Sequence, residues 1–315
     1  MKIYDLNNAI ESGRKYGGMA GAKLGVIFNN SNWIIKFPKS TKGFNTVEIS
    51  YTTSPLSEYL GSHVYGVIGI PVHDTVLGIK DNKVVVACKD FREKGEELYE
   101  FREVKNEYVK GLEEKIDNLS SSSGNGTDIN EIMLIMDNNP TFIDNPKLKD
   151  RFWDMFVVDS LIGNNDRNNG NWGILVDEYK KKTKIAPVYD NGASFSNSIG
   201  EERIQKILND KVRFENSAYV SRNSAFYENS KNINPLKYIE KMNNVYLNEA
   251  ILRVVPNIDL NKIKKVIYEI PNSYGEIKII SNIQKDFYYK LVEYRYNNIL
   301  KPVYEKLRNV KLLKI

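Results

Sequence analysis

Cysteine occurs once in the 315 residues, at Cys88, and histidine twice, at His63 and His73. A single cysteine excludes a disulfide framework within the chain, and two histidines remove the raw material for most zinc sites and for a Ser-His-Asp triad. Long apolar runs are also missing. None exceeds five residues, the length of Val84 to Cys88, where a membrane-spanning helix needs about 20. Met1-Lys2-Ile3-Tyr4-Asp5 opens no signal-peptide apolar region, so the expectation is a cytoplasmic, non-exported chain, although an unconventional export route would leave no mark here. Neither sign of charge dominates: 45 Lys and Arg against 40 Asp and Glu leave +5. That is far from the clustered basic stripe of a nucleic-acid module, and no basic amphipathic helix argues for a membrane surface.

What the chain does contain is a globular composition, 41% hydrophobic, 11% aromatic and 27% charged. Its length suits two domains, or one enzyme of two lobes. Leu24 to Phe28 and Trp33 to Phe37, around Asn29-Asn30-Ser31-Asn32, read as a hairpin. Ser54-Pro55 supplies a helix start, with Ser54 as cap and Pro55 in the first position, and predicts a helix to Ile68. His73 to Ile79 and Lys83 to Phe91, turning at Asp81-Asn82, repeat the hairpin. The first 91 residues are therefore expected to form a small lobe of at least four strands and one helix, and residues 92–315 a larger helical lobe. Asn118 to Gly126 is a polar, Ser/Gly-rich insertion expected to be mobile. A buried helix is expected from Leu148 to its stop at Gly163, then strands at 172–176 and 185–189, then helices near 201–209, 236–254, 260–269 and 284–308.

The helix-to-strand loop Gly163-Asn164-Asn165-Asp166-Arg167-Asn168-Asn169-Gly170-Asn171 places a carboxylate and a carboxamide five residues apart. The following hairpin is expected to return Asp190 beside Asn171. Asparagine makes up 37 of the 315 residues, so an Asp-x-x-x-x-Asn spacing alone is weak evidence, and such a stretch also suits a turn that merely satisfies its own backbone. The order helix, loop, hairpin, Asp-Asn-Gly is more specific. Phosphoryl transfer needs such a set: a carboxylate to take the acceptor proton, here Asp166, and hard oxygen ligands for Mg²⁺, here Asn171 and Asp190. Lys36, on the apolar strand Trp33 to Phe37, suits the phosphates of ATP. Glu58 would hold Lys36, although it projects opposite the stripe Leu56, Leu60, Val64 and Val67. Backbone N–H groups of the small-residue loop Gly17 to Lys23, with Gly18, Ala20, Gly21 and Ala22, would cover the phosphates. Backbone groups of Cys88, Lys89 and Asp90 would face the adenine, with the Cys88 side chain itself a packed small hydrophobe.

Gly17 to Phe37, Ser57-Glu58-Tyr59, Val84 to Phe91, Phe152 to Gly173 and Ala186 to Gly192 together resemble the HipA-like serine/threonine protein kinases. The likeness is to short members of the cell-translocating kinase A type, which lack an extra amino-terminal domain. The resemblance implies an α+β, two-lobed protein-kinase-like fold, ATP with Mg²⁺, and a protein substrate with a serine or threonine hydroxyl. It matches Asp166 to the catalytic aspartate, Asn171 and Asp190 to the metal ligands, Lys36 to the nucleotide lysine, and Tyr189 to a residue beside the adenine. Asn168 stands where the family often has histidine. Gly18 stands where the longer toxins carry the serine whose autophosphorylation silences them, so that self-inactivation is not expected.

Two other readings use the same residues. A lipid or small-molecule kinase shares a comparable Asp-Arg-x-x-x-Asn loop. A pseudokinase docking module would use the fold alone, yet Lys36, Asp166, Asn171 and Asp190 are all present. Membership of a toxin–antitoxin pair, with an antitoxin or a small accessory domain on a separate chain, is a further expectation.

Overall fold

The computed structural model describes residues 1–14, 23–42, 49–113, 127–219, 224–229 and 231–312. Gly18, Ala20, Gly21 and Ala22, and the insertion from Asn118 to Gly126, lie outside the described residues.

Strands β1 (Tyr4–Asp5), β2 (Ile10–Glu11), β3 (Lys23–Phe28), β4 (Ser31–Lys36), β5 (Thr75–Lys80) and β6 (Lys83–Lys89) form one six-stranded sheet in the order β1-β5-β6-β4-β3-β2. Its two hairpins turn on two residues each. Asn29 and Asn30 have φ of +47° and +56°, and Asp81 and Asn82 have +50° and +56°. Positive φ at both central residues is what a tight hairpin turn matched to strand twist requires, and Asn and Asp tolerate it. Alternation along the strands gives the sheet two apolar faces. Val26, Trp33, Ile35, Val85 and Ala87 pack with Leu6 on one. Leu77, Val86 and Cys88 join the main core on the other.

Helix α1 (Ser54–Ile68) covers that second face. It begins one residue earlier than the cap reading predicts: Thr53 is the cap and Ser54 the first helical residue. The helix stops at Gly69, whose φ of +87° lets its N–H return to Gly66 O. The opposite side of α1 is buried too, since a Cβ on Gly61 would sit 2.7 Å from Asn191 Cβ. Glu58, predicted to project away from the apolar stripe, is therefore only 1% exposed. A helix enclosed on two sides has no solvent face for its polar residues to mark.

The second lobe starts with β7 (Glu96–Glu100), α2 (Phe101–Glu113), β8 (Thr127–Asp128), α3 (Ile129–Asn138), α4 (Pro140–Ile143) and α5 (Lys147–Ile162). Strands β9 (Gly173–Asp177) and β10 (Lys182–Ile185) follow, and β9 pairs with both β10 and β7. The hairpin is shorter than expected. Pairing runs from Asp177↔Lys182 to Ile174↔Ile185, and Pro187, which has no N–H to donate, ends the ladder. The chain then crosses to the first lobe, where Val188 bridges Val72 in parallel. Asp190 is thus not carried alongside Asn171 by strand pairing.

Helices α6 (Glu201–Leu208), α7 (Lys211–Tyr219), α8 (Pro235–Lys241), α9 (Val245–Val254), α10 (Leu260–Tyr268), α11 (Asn282–Arg295) and α12 (Lys301–Leu312) make up most of the remainder. Two expected helices are each split. Met242, with φ of +53°, ends α8, and Asn244 caps α9 by accepting from Leu247 N at 3.0 Å. A π turn at Tyr296–Leu300 separates α11 from α12. Pro302 explains it, because a helical proline lacks the N–H for the carbonyl four residues back and its ring crowds that carbonyl.

Candidate active site

The core of the site is a buried cation. Helix α5 ends at Gly163, whose φ is +68°, and its last turn presents Asp159. The side chains of Asp159 and Arg167 are both 0% exposed and pair at 2.7 Å. Asp159 also accepts from Tyr65 OH at 2.8 Å and from Asn164 Nδ2 at 3.0 Å. Burial opposes the charge on Arg167, and Asp159 more than offsets it, so the guanidinium pKa lies above its ordinary value. Its remaining N–H groups do the joining that the hairpin does not. Nη1 donates to Asn171 O at 2.7 Å and to Tyr189 O at 2.6 Å, and Nη2 donates to Asn191 Oδ1 at 2.6 Å. One planar fork thus ties the 164–171 loop to the segment carrying Asp190.

Within that loop, Asp166 is exposed. Its N–H donates to Asn164 Oδ1 at 3.2 Å, and its carboxylate accepts from Asn168 Nδ2 at 3.0 Å. Asn171 Nδ2 donates to Asp166 O at 2.5 Å. That bond orients the Asn171 amide and leaves Oδ1 as its acceptor.

Across the cleft, Lys36 Nζ lies 2.9 Å from Glu58 Oε2 and 2.9 Å from Asp190 Oδ1. Burial disfavours the Lys36 charge, but Asp190 and Glu58 overcome it and raise its pKa. Burial likewise works against ionised Glu58, yet Lys36 and His73 hold it well below the usual carboxylate range. Asp190 is lowered against the same burial by Lys36. Asp190 adopts φ of +61°, a left-handed conformation rare outside glycine, asparagine and aspartate. Glu58 Oε1 accepts from Asn191 N at 3.0 Å.

No family model matches the chain. It is 35% identical over 286 residues to the serine/threonine-protein kinase CtkA of Helicobacter pylori, covering 90% of this chain and 82% of CtkA. The chain belongs to the HipA-like serine/threonine kinases, in the short, CtkA-type form. The crystal structure of the H. pylori proinflammatory kinase CtkA matches with a TM-score of 0.86 at 31% identity, over 98% of this chain and 99% of that one. HipA of Shewanella oneidensis, solved with HipB and operator DNA, shares the fold, with a TM-score of 0.52 and 13% identity over 93% and 68% of the two chains. The two-lobed α+β architecture is that of a HipA-like kinase.

Seen in this kinase, the predicted residues fall into two groups. Lys36, Glu58 and Asp190 are in direct contact, and Asp166 and Asn171 share the loop that Arg167 ties to them. Along the segment Cys88–Asp90 the backbone N–H groups of Lys89 and Asp90 already have partners within the protein. Cys88 lies in a ladder between Ile34 and Thr75, Lys89 N–H donates to Asp74 O at 2.9 Å, and Asp90 N–H donates to Asn32 O at 2.9 Å. The Asp90 carboxylate receives Arg92 and Arg14. Cys88 is 1% exposed, and burial pushes its thiol pKa up. Tyr189 instead faces Phe91, their rings 5.7 Å apart and inclined at 32°.

Arg167, Asp159, Asn191, His73 and Phe91 carry no role in the sequence reading. Arg167 had a signal in its adjacency to Asp166. Asp159, eight residues earlier and across a helix end, had none. Among the described residues no helix is long and apolar enough to cross a membrane.

Proposed function

We propose that this kinase transfers the γ-phosphoryl group of ATP, held with Mg²⁺, to a serine or threonine hydroxyl of a protein. The observation that carries the proposal is the sharing of Lys36 Nζ between Glu58 and Asp190 at 2.9 Å each. A cation so placed suits the phosphates, and Asp190 beside it suits a divalent ion. The donor set fits Mg²⁺: a carboxylate from Asp190 and an amide oxygen from Asn171 are hard oxygen ligands. Bound there, Mg²⁺ would neutralise charge on the phosphate oxygens.

The residues then divide the work. Lys36 orients the phosphates, and Glu58 orients Lys36. Phe91 and Tyr189 offer apolar faces to the base, which shifts the expected hinge contact past Asp90, and we place the lobe boundary at 91/92. As the acceptor oxygen bonds to the γ-phosphorus and the β,γ-bridging bond breaks, the hydroxyl proton passes to the exposed Asp166 carboxylate. ATP as donor makes the cytoplasm the working compartment.

The test is transfer of label from γ-labelled ATP to a generic acceptor protein, followed by phosphoamino-acid analysis. The expected result is phosphoserine or phosphothreonine that a chelator abolishes. Label on lipid or on a small molecule, with none on protein, overturns the reading. A toxin role beside an antitoxin chain rests on family membership alone, because the likeness to HipA itself extends only to the fold. Co-expression with the neighbouring encoded chain tests it: a complex with suppressed transfer supports the pair, and an active monomer contradicts it.

A further inference from the structure

One of the two histidines lies directly behind the site. His73 is 5% exposed, with Nε2 3.0 Å from Glu58 Oε1 and 3.1 Å from Ser62 Oγ. An ionised carboxylate has no proton to give, so the contact with Glu58 requires the proton on Nε2. Ser62 Oγ accepts from Asn191 Nδ2 at 3.0 Å. The ring is fixed from its own backbone, where His73 N–H donates to Val188 O at 3.0 Å, two residues before Asp190.

Glu58 Oε1 therefore takes two N–H groups, from His73 and from the Asn191 amide at 3.0 Å. Two donors on one oxygen set the plane of the carboxylate and leave Oε2 for Lys36. Glu58 is 1% exposed, so no bulk water replaces a donor taken away. Lys36 has a second carboxylate at the same 2.9 Å, Asp190. A Lys36 that loses its hold on Glu58 is left with Asp190 as its one carboxylate partner of the two, and an Asp190 that must neutralise the ammonium group alone is less available to a divalent cation.

We propose that His73 is a positioning residue: by holding Glu58 towards Lys36 it keeps Lys36 shared between Glu58 and Asp190 rather than given over to Asp190 alone. This rests on the Mg²⁺ and nucleotide site proposed above. Glu58, His73 and Cys88 also bring three possible ligand atoms within 4.8 Å of one another, but a metal there would have to displace the proton shared by Glu58 and His73 and sit beside the Lys36 ammonium. The hydrogen-bonded role fits the charges better.

The test measures Mn²⁺ binding to the full chain with saturating ADP, by electron paramagnetic resonance, in the wild type, His73→Leu and His73→Gln. Leucine removes the donor and keeps much of the volume, whereas glutamine keeps an N–H donor. The Mn²⁺ dissociation constant is expected to rise roughly tenfold in His73→Leu and to return towards the wild-type value in His73→Gln. A merely structural role would lower the melting temperature and the folded fraction without moving the constant of the folded molecules. An unchanged constant in His73→Leu, or a His73→Gln as weak as His73→Leu, overturns the proposal, and so does a wild type that binds no Mn²⁺ with ADP. Should His73→Leu not fold, His73→Asn, whose amide is too short to reach Glu58, replaces it with the same expected outcomes. A wild type that binds Mn²⁺ and ADP but labels no acceptor contradicts the kinase reading and leaves the His73 result standing.

Discussion

Two ion-pair systems meet at Asn191 and are built in opposite ways. Asp159 and Arg167 are sealed, with side chains 0% exposed and partners that are helix and loop atoms of the protein itself. Lys36 and Asp190 are open, with side chains 18% and 36% exposed, and only Glu58 behind them is closed off. Asn191 belongs to both systems: its Oδ1 receives Arg167, and its N–H supports Glu58. The sealed pair can only hold geometry, because any exchange of partners would strand a buried charge. The open pair can exchange partners, which is what admission of phosphate and metal demands.

This contrast is broken most severely at the sealed pair. Arg167→Met leaves Asp159 buried without its cation, and unfolding stability is expected to fall by about 3–5 kcal/mol, read by urea denaturation. At the open pair the loss is of activity and not of fold. Asp190→Asn is expected to reduce phosphoryl transfer by about 10²–10³-fold while the melting temperature stays near that of the wild type, since asparagine accepts the left-handed backbone there. If Asp190→Asn destabilises as much as Arg167→Met, the distinction between the two systems is wrong.

Gly163→Ala sharpens the comparison where the loop leaves α5. A Cβ there would meet Arg295 Nη1 at 2.9 Å, and φ is +68°, so a stability loss of about 1–3 kcal/mol is expected together with lower turnover. The smallest effect lies in the small lobe and away from both pairs. Burial lowers the His63 pKa below its ordinary value. A depressed folded pKa means that stability is complete above the unfolded value near 6.5 and is lost as pH falls through the folded one. The melting temperature should therefore decline between pH 7.5 and 5.5, and decline less in His63→Gln.

Local features were the legible ones. Asn29-Asn30 and Asp81-Asn82 announce their hairpins because turn chemistry is short-range, and the loop from Gly163 to Asn171 announces its polar chemistry by order along the chain. What escaped depends on partners distant in sequence. Glu58 looked solvent-facing because the burial of α1 on its far side comes from Asn191. The hairpin ends sooner than the apolar run Ile185 to Tyr189 suggests, because Pro187 stops the ladder. Strand β7, with the sequence Glu-Glu-Leu-Tyr-Glu, lies at a sheet edge where charge is tolerated, so it shows no alternating apolar signal. The fixing of Asn171 relative to Asp190 by Arg167 has no sequence signature, because it needs a guanidinium whose counter-charge comes from the preceding helix.

The most direct test compares the wild type with Asp166→Ala, measuring Mg²⁺·ATP binding and γ-label transfer on both. Both proteins are expected to bind nucleotide with similar affinity, and only the wild type to label serine or threonine on the acceptor, Asp166→Ala falling by about 10²–10⁴-fold. Equal labelling by the two proteins would contradict the assignment of the acceptor proton to Asp166, and the phosphoryl-transfer site built around it.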